Sequence, residues 1–221
     1  MNKLDYIQLN PKTEATHSVI WLHGLGADGH DFVNIVPELK LPEDHGVRFI
    51  FPHAPLRAVT INNGYVMRAW YDILSLDRMT QEDEDGVRNS VELVSYLIEE
   101  EHQRGIHYNN IFLAGFSQGA ALALFTGLSY PHKLGGIIAL SGYLPLVKLV
   151  QDEVNERNKH IPIFQAHGTF DMVVPFTLAE MAKSFLTAMH YPVEWHTYPI
   201  DHGVSPDEVI DISHWLQSKI A

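Results

Sequence analysis

Ser117 stands between two glycines in Gly115-Phe116-Ser117-Gln118-Gly119. An apolar run precedes it, Ile111 to Ala114, and an Ala- and Leu-rich run follows, Ala120 to Phe125. Strand, G-x-S-x-G and helix together describe a nucleophile elbow, a turn that strains the serine backbone and lifts its hydroxyl out at the tip. Glycines belong there because a side chain would collide with the adjacent strand or helix. A serine hydroxyl is a poor nucleophile by itself. It needs a base to take its proton and a carboxylate to orient that base. The chemistry in view is attack on an acyl carbonyl.

This turn type carries an order along the chain: serine, then acid, then histidine, the last two on loops beyond strand ends. The apolar run Ile161 to Phe164 leads into Gln165-Ala166-His167-Gly168-Thr169-Phe170-Asp171, which makes Asp171 the candidate acid. Asp152 is its rival, but it lies in a polar stretch of helical character, Gln151 to Lys159. The run Val193 to Tyr198 is followed by Asp201-His202-Gly203, which makes His202 the candidate base. The chain has 14 histidines, so proximity to any one of them means little. His167 is expected in the acid loop, His196 inside a strand and His214 in the last helix; His202 alone has both the order and the loop. Acyl transfer also needs donors for an oxyanion. One is expected from the backbone N–H of Gln118, the other from the loop His23-Gly24-Leu25-Gly26 after the strand Val19 to Leu22, through Leu25. His23 is expected to hold that loop rather than to react.

The elements that position these residues are visible as short, nearly continuous apolar runs separated by helical patterns. Val19–Leu22, Val47–Phe51, Ile111–Ala114, Ile137–Leu140, Ile161–Phe164 and Val193–Trp195 read as strands covered on both faces. Gly86 to Glu100 carries an apolar stripe of Val87, Val91, Val94, Leu97 and Ile98, and further helices are expected over Phe176–Met189 and Pro206–Ile220. The last opens on Ser205 as cap, Pro206 in the first turn and Asp207 and Glu208 near the positive end. The alternation implies an α/β fold, a mostly parallel central sheet with helices on both faces. No linker, repeat or low-complexity segment interrupts it, so residues 1–221 are expected to form a single domain with a flap-like insertion at about 55–81. That stretch is too long for a plain connection and rich in apolar residues. It is expected to pack as a small hairpin or to line an apolar substrate groove. Leu25, Trp70, Leu74, Leu76 and Phe116 are the candidate substrate-binding residues.

Composition excludes several other functions. Fifteen basic against 27 acidic residues give a formal charge of −12, which argues against nucleic acid and against electrostatic docking on an anionic membrane. The absence of cysteine rules out disulfides and thiolate catalysis and fits a reducing, cytoplasmic setting. The first 18 residues lack the apolar stretch of a signal peptide, and no window approaches the roughly 20 apolar residues of a membrane span. There is no H-E-x-x-H and no trusted paired-ligand spacing, so no metal is expected. Gly24-x-Gly26-x-x-Gly29 matches a dinucleotide fingerprint formally, but Val47–Phe51 ends in Pro52-His53 where an acid is needed.

With these residues in place the sequence resembles the acyl-protein thioesterase and carboxylesterase family, a compact branch of the α/β-hydrolases. The resemblance rests on Trp21-Leu22-His23-Gly24-Leu25-Gly26, Phe51-Pro52-His53-Ala54-Pro55, Val59-Thr60-Ile61-Asn62, Trp70-Tyr71-Asp72-Ile73, the Ser117 pentapeptide, His167-Gly168 with Asp171 and Val174-Pro175, and His202 with Val204. It implies Ser117, Asp171 and His202 as nucleophile, acid and base, and the Leu25 and Gln118 N–H groups as oxyanion donors. It implies a hydrolase of class EC 3.1 that cleaves carboxyl esters, lysophospholipids or acyl thioesters without a cofactor. Within that class a lysophospholipase or general short-chain esterase is the alternative to a protein deacylase; outside it, an inactive binding protein of the same fold. Substrates as different as small esters and acylated proteins, transient contact with a membrane surface, and monomer against homodimer all stay open. Two positions depart from the pattern. Ala120 replaces a second glycine, and Asp201 replaces a neutral residue before the base, where a carboxylate favours the charged imidazolium.

Overall fold

The structure is a computed structural model and describes residues 3–75 and 82–220. Nine strands and six helices follow one another along it. They are β1 (Tyr6–Leu9), β2 (His17–Leu22), α1 (Ile35–Glu38), β3 (Val47–Pro52), β4 (Leu56–Val59), β5 (Tyr65–Arg68), α2 (Glu84–Gln103) and β6 (Ile111–Phe116). Then come α3 (Gln118–Ser129), β7 (Gly136–Leu140), α4 (Val147–Glu153), β8 (Ile163–Gly168), α5 (Phe176–Ala188), β9 (Val193–Tyr198) and α6 (Pro206–Ile220). Seven strands form one sheet in the order β1-β3-β2-β6-β7-β8-β9. Every pairing in it is parallel except that of β1 with β3.

The strands read as continuous apolar runs because both faces are covered. On β2, Ile20 and Leu22 join the core under α2, α3, α4 and α5, while Val19 and Trp21 join the core under α1 and α6. Helix α3 has no polar face. Residues Gln118 to Leu128 are all buried, which explains its Ala, Leu and Gly composition. The α/β expectation holds, and helix α6 has the expected bounds. The strand expected over Ile161–Phe164 instead runs over Ile163–Gly168, because its pairing with β9 continues to Gly168 opposite Tyr198. His167 therefore lies on a strand and not in the acid loop. The sequence reading also passed over β1, an antiparallel edge strand of four half-buried residues, and the four-residue α1.

The insertion does fold as a hairpin. Strands β4 and β5 pair antiparallel, joined by a tight turn with Asn63 at φ 55° and Gly64 at φ 75°. Residues 76–81, including the candidate Leu76, lie outside the described residues. No helix among the described residues is long and apolar enough to cross a membrane.

Helix α6 begins with a reciprocal cap. The Glu208 N–H donates to Ser205 Oγ at 3.1 Å, and the Ser205 N–H points to Glu208 Oε2 at 3.4 Å. Glu208 is fully buried, its Oε1 has no hydrogen-bond partner among the described residues, and burial pushes its carboxyl up to about 7. A carboxyl raised above its unfolded value of 4.5 stabilises the fold fully below that pH. The contribution is lost as pH climbs through 7. Glu208→Gln keeps the cap without the ionisation. Urea unfolding is expected to show the variant gaining about 1–3 kcal/mol on wild type between pH 5 and pH 8. A difference independent of pH would contradict this account.

Candidate active site

Ser117 joins β6 to α3 with φ 54° and ψ −118°. Such a conformation costs a non-glycine residue on the order of 1–3 kcal/mol. The surrounding backbone imposes it. A Cβ on Gly115 would fall 2.3 Å from the Gly119 carbonyl, and one on Gly119 would fall 2.2 Å from the Leu22 carbonyl oxygen. Strand β6, helix α3 and strand β2 thus meet backbone to backbone. The Ser117 N–H donates to Leu140 O on β7 at 2.8 Å, which fixes the turn from the other side.

Asp171 and His202, the candidate acid and base, stand beyond the ends of β8 and β9. Asp171 is buried just past β8, and its two oxygens have separate tasks. Oδ1 accepts the N–H groups of Val173 at 2.9 Å and Val174 at 2.8 Å. Oδ2 lies 2.7 Å from His202 Nδ1. Next to a carboxylate that nitrogen carries the proton, so Nε2 is the unprotonated nitrogen. Two backbone bonds tie the acid loop to the base loop, Thr169 N to Tyr198 O at 2.8 Å and Phe170 N to Ile200 O at 3.0 Å. Gly168 allows the approach, since a Cβ there would sit 2.4 Å from Asp201 O. The Phe116 ring lies 4.7 Å from the His202 ring, centroid to centroid. Behind Asp171 is His167, fully buried, its Nε2 2.9 Å from Val174 O and 3.3 Å from Asp171 Oδ2. Burial lowers its pKa, and a neutral ring with its proton on Nε2 satisfies both oxygens.

The glycine loop after β2 lies directly against Ser117. A Cβ on Gly24 would be 3.5 Å from Ser117 Cβ. His23 sets the loop's orientation. Its Nε2 accepts the Ala54 N–H at 3.0 Å, so its proton is on Nδ1, which donates to Gly24 O at 2.7 Å. In a trans peptide the carbonyl and the following N–H point opposite ways. Drawing the Gly24 carbonyl toward His23 therefore turns the Leu25 N–H away from it. Neither the Leu25 N–H nor the Gln118 N–H has a hydrogen-bond partner among the described residues.

Trp70 was expected at the substrate, but it is fully buried and does not line the cleft. Its indole N–H donates to His23 O at 2.9 Å, its N–H to Gln118 Oε1 at 2.9 Å, and its carbonyl accepts from Ser90 Oγ. Gln118 Nε2 completes the link with Tyr71 O at 2.7 Å. The Gln118 side chain, given no part in the sequence reading, thus latches the insertion onto the elbow.

A cleft of about 470 Å³ contains Ser117, Gln118, His202, Leu25 and Phe116, so five sequence-predicted residues converge there. Asp171 sits behind His202. Leu74 is exposed and does not line the cleft. Ile61 and Ile73 of the insertion line it, as do Tyr143 and Val173 from two other segments, and these four were not singled out in the sequence. Another cleft of about 420 Å³, between the N-terminus, α2 and the hairpin, holds no member of the serine–histidine–aspartate set.

Asp28, His30 and His53 bring side-chain ligand atoms within 4.8 Å of one another, a grouping their spacing did not reveal. Their bonds are those of a loop brace. Asp28 Oδ1 accepts from His30 N at 2.8 Å and faces His30 Nδ1 at 3.0 Å. The Gly29 N–H donates to His53 Nδ1 at 3.0 Å, which leaves the His53 proton on Nε2 and takes that nitrogen out of a ligating state.

Replacing His23 with Ala frees the Gly24–Leu25 peptide. With p-nitrophenyl acetate, kcat is expected to fall by roughly 10- to 100-fold with little change in KM, the signature of a lost transition-state contact. An unchanged kcat would show that the peptide needs no such hold. Burial holds His23 at about 4, below the ordinary 6.5. Its contribution to loop stability is complete above pH 6.5 and is lost as pH falls toward 4.

Residues 6–220 match the family model described as phospholipase/carboxylesterase. Acyl-protein thioesterase 1 of Yarrowia lipolytica is 36% identical over 219 residues, covering 97% of this chain and 96% of the relative. The protein of that name from Cryptococcus neoformans is 34% identical over 236 residues, covering 98% of each. The crystal structure of Arabidopsis thaliana SOBER1 matches with a TM-score of 0.87 at 34% identity, over 93% of this chain and 99% of that one. Zea mays acyl-protein thioesterase 2 gives 0.87 at 26% identity, over 98% and 99%. Sheet order, elbow and near full-length similarity agree: the chain belongs to the phospholipase/carboxylesterase family, on the α/β-hydrolase fold.

Proposed function

We propose that this protein is a cytoplasmic, single-domain serine hydrolase of carboxyl esters and acyl thioesters, with Ser117, His202 and Asp171 as its catalytic residues. The observation that carries the reading is the 2.7 Å contact of His202 Nδ1 with a buried Asp171, in a cleft that His202 shares with the strained Ser117. His202 Nε2 takes the Ser117 proton as Oγ attacks the carbonyl carbon. The Leu25 and Gln118 N–H groups receive the oxyanion. The tetrahedral adduct collapses as His202 returns the proton to the leaving alcohol or thiol, and water releases the acyl group by the same steps. Asp171 holds the productive tautomer and offsets the charge on the imidazolium. None of these steps calls on a cofactor. Relatives named acyl-protein thioesterase support a substrate with a thioester-linked acyl chain, and the apolar lining of Leu25, Ile61, Ile73 and Phe116 supports an acyl site.

Ser117→Ala is expected to abolish turnover of p-nitrophenyl butyrate while circular dichroism and Tm stay near wild type; retained turnover would sink the mechanism. The acyl site has its own test. Each methylene buried is worth about 0.8 kcal/mol, so Ile61→Ser with Ile73→Ser should cut the octanoyl-to-acetyl ratio of kcat/KM by about tenfold. An unchanged ratio would place the acyl chain elsewhere.

A further inference from the structure

The catalytic histidine faces two concavities. One is the cleft already described. The other is an open depression of about 690 Å³ lined by Phe170, Met172, Val173, Pro199, Ile200, Asp201 and His202. Val173 and His202 line both, and so form the ridge between them. In acyl transfer the two halves of the substrate leave the carbonyl carbon in different directions. The leaving atom takes its proton from His202 and must lie within hydrogen-bond reach of it. With the acyl chain in the first cleft, the rest of the leaving group falls on the second side of His202.

The surface there is unusual. Phe170 is 63% exposed, Met172 89% and Val173 54%, three large apolar side chains around a buried Asp171. The loop that displays them is held by the Phe170 N–H bond to Ile200 and by the two N–H groups bonded to Asp171 Oδ1. Beside them Asp201 is the one carboxylate of the lining, and it has no ion-pair partner among the described residues. An exposed aromatic ring, a thioether and an unpaired carboxylate together suit an organic cation, which pairs with the carboxylate and rests on the ring face.

We propose that Phe170, Met172 and Asp201 form a leaving-group subsite that prefers alcohols or thiols carrying a positive charge near the scissile atom. This rests on the serine-hydrolase reading of Ser117 and His202. Two sources have that chemistry: a quaternary ammonium head group, and a Lys or Arg side chain next to an acylated residue.

The test compares butyrylthiocholine with its neutral carbon isostere, the butyryl thioester of 3,3-dimethylbutanethiol. Both give the same acyl-enzyme, so the ratio of their kcat/KM values reports the leaving group alone. Any effect of a mutation on the shared base cancels. Wild type is expected to favour the cation by roughly threefold to tenfold in low salt. The ratio should shrink toward one in about 1 M NaCl, in Asp201→Asn, and more weakly in Phe170→Leu. A wild-type ratio near one, or a preference unchanged in Asp201→Asn, would overturn the subsite even where turnover depends on Ser117. Turnover surviving in Ser117→Ala would instead overturn the catalytic reading beneath it. S-octanoylated cysteine peptides with Lys or Glu beside the cysteine, and lysophosphatidylcholine, identify the source. An Asp201-dependent preference for the Lys peptide assigns the cation to a basic side chain, and an Asp201-dependent loss on the lipid assigns it to choline. No Asp201 dependence on either would overturn the proposal for such substrates.

Discussion

Everything in this site depends on backbone packing so close that no side chain fits. At the elbow, β6 lies against the first turn of α3, and that turn lies against the end of β2. The contacts leave Ser117 one conformation and place it beside the loop that follows β2. Ser117 and the loop after β2 are therefore positioned by one contact, between main chains, which side-chain motion cannot loosen. The cost of the strained serine is met by the buried apolar surface of α3, whose residues from Gln118 to Leu128 are all inaccessible.

Around this contact runs a buried polar chain that joins segments far apart in sequence. Trp70 reaches His23 and Gln118, Gln118 reaches Tyr71, and His23 reaches Gly24 and Ala54. Each of these groups is buried, and each would be costly to leave unpaired. The chain ties the insertion to the elbow and fixes the loop after β2 through His23, the preorganisation that the proposed oxyanion site calls for. Preorganisation of that kind is the main source of rate in acyl transfer.

The sequence disclosed the candidate site residues far better than their surroundings. Ser117, Asp171 and His202 were legible because each sits on a local signature, and the order of the three signatures is constrained by the fold. The parallel strands were legible because burial on both faces leaves unbroken apolar runs. Strand β1 was not, since it is short, half-exposed and paired at an edge, so its four residues carry no distinctive pattern. The cleft lining was only partly legible. Tyr143 and Val173 reach it from loops whose meeting is decided by tertiary packing. Trp70 looked like a ligand contact because a large aromatic in an apolar insertion suits a groove. Its indole N–H needed a buried acceptor, and His23 O supplied one inside the protein. Gln118 was read through its backbone alone, because nothing local indicates that its amide will match two peptide groups some 47 residues away.

The burial of α3 has a further consequence for how the site comes apart. Ser117 opens the most protected helix of the molecule and follows a strand in the middle of the sheet. His202 follows β9, an edge strand with partly exposed residues, and Asp171 follows its neighbour β8. Local opening starts where protection is least, at edges and loops. By that rule, opening at the β9 edge reaches His202 before it reaches Ser117. Ser117 thus stands on the most protected ground among the described residues, while His202 hangs from the sheet's margin and Asp171 from the strand beside it.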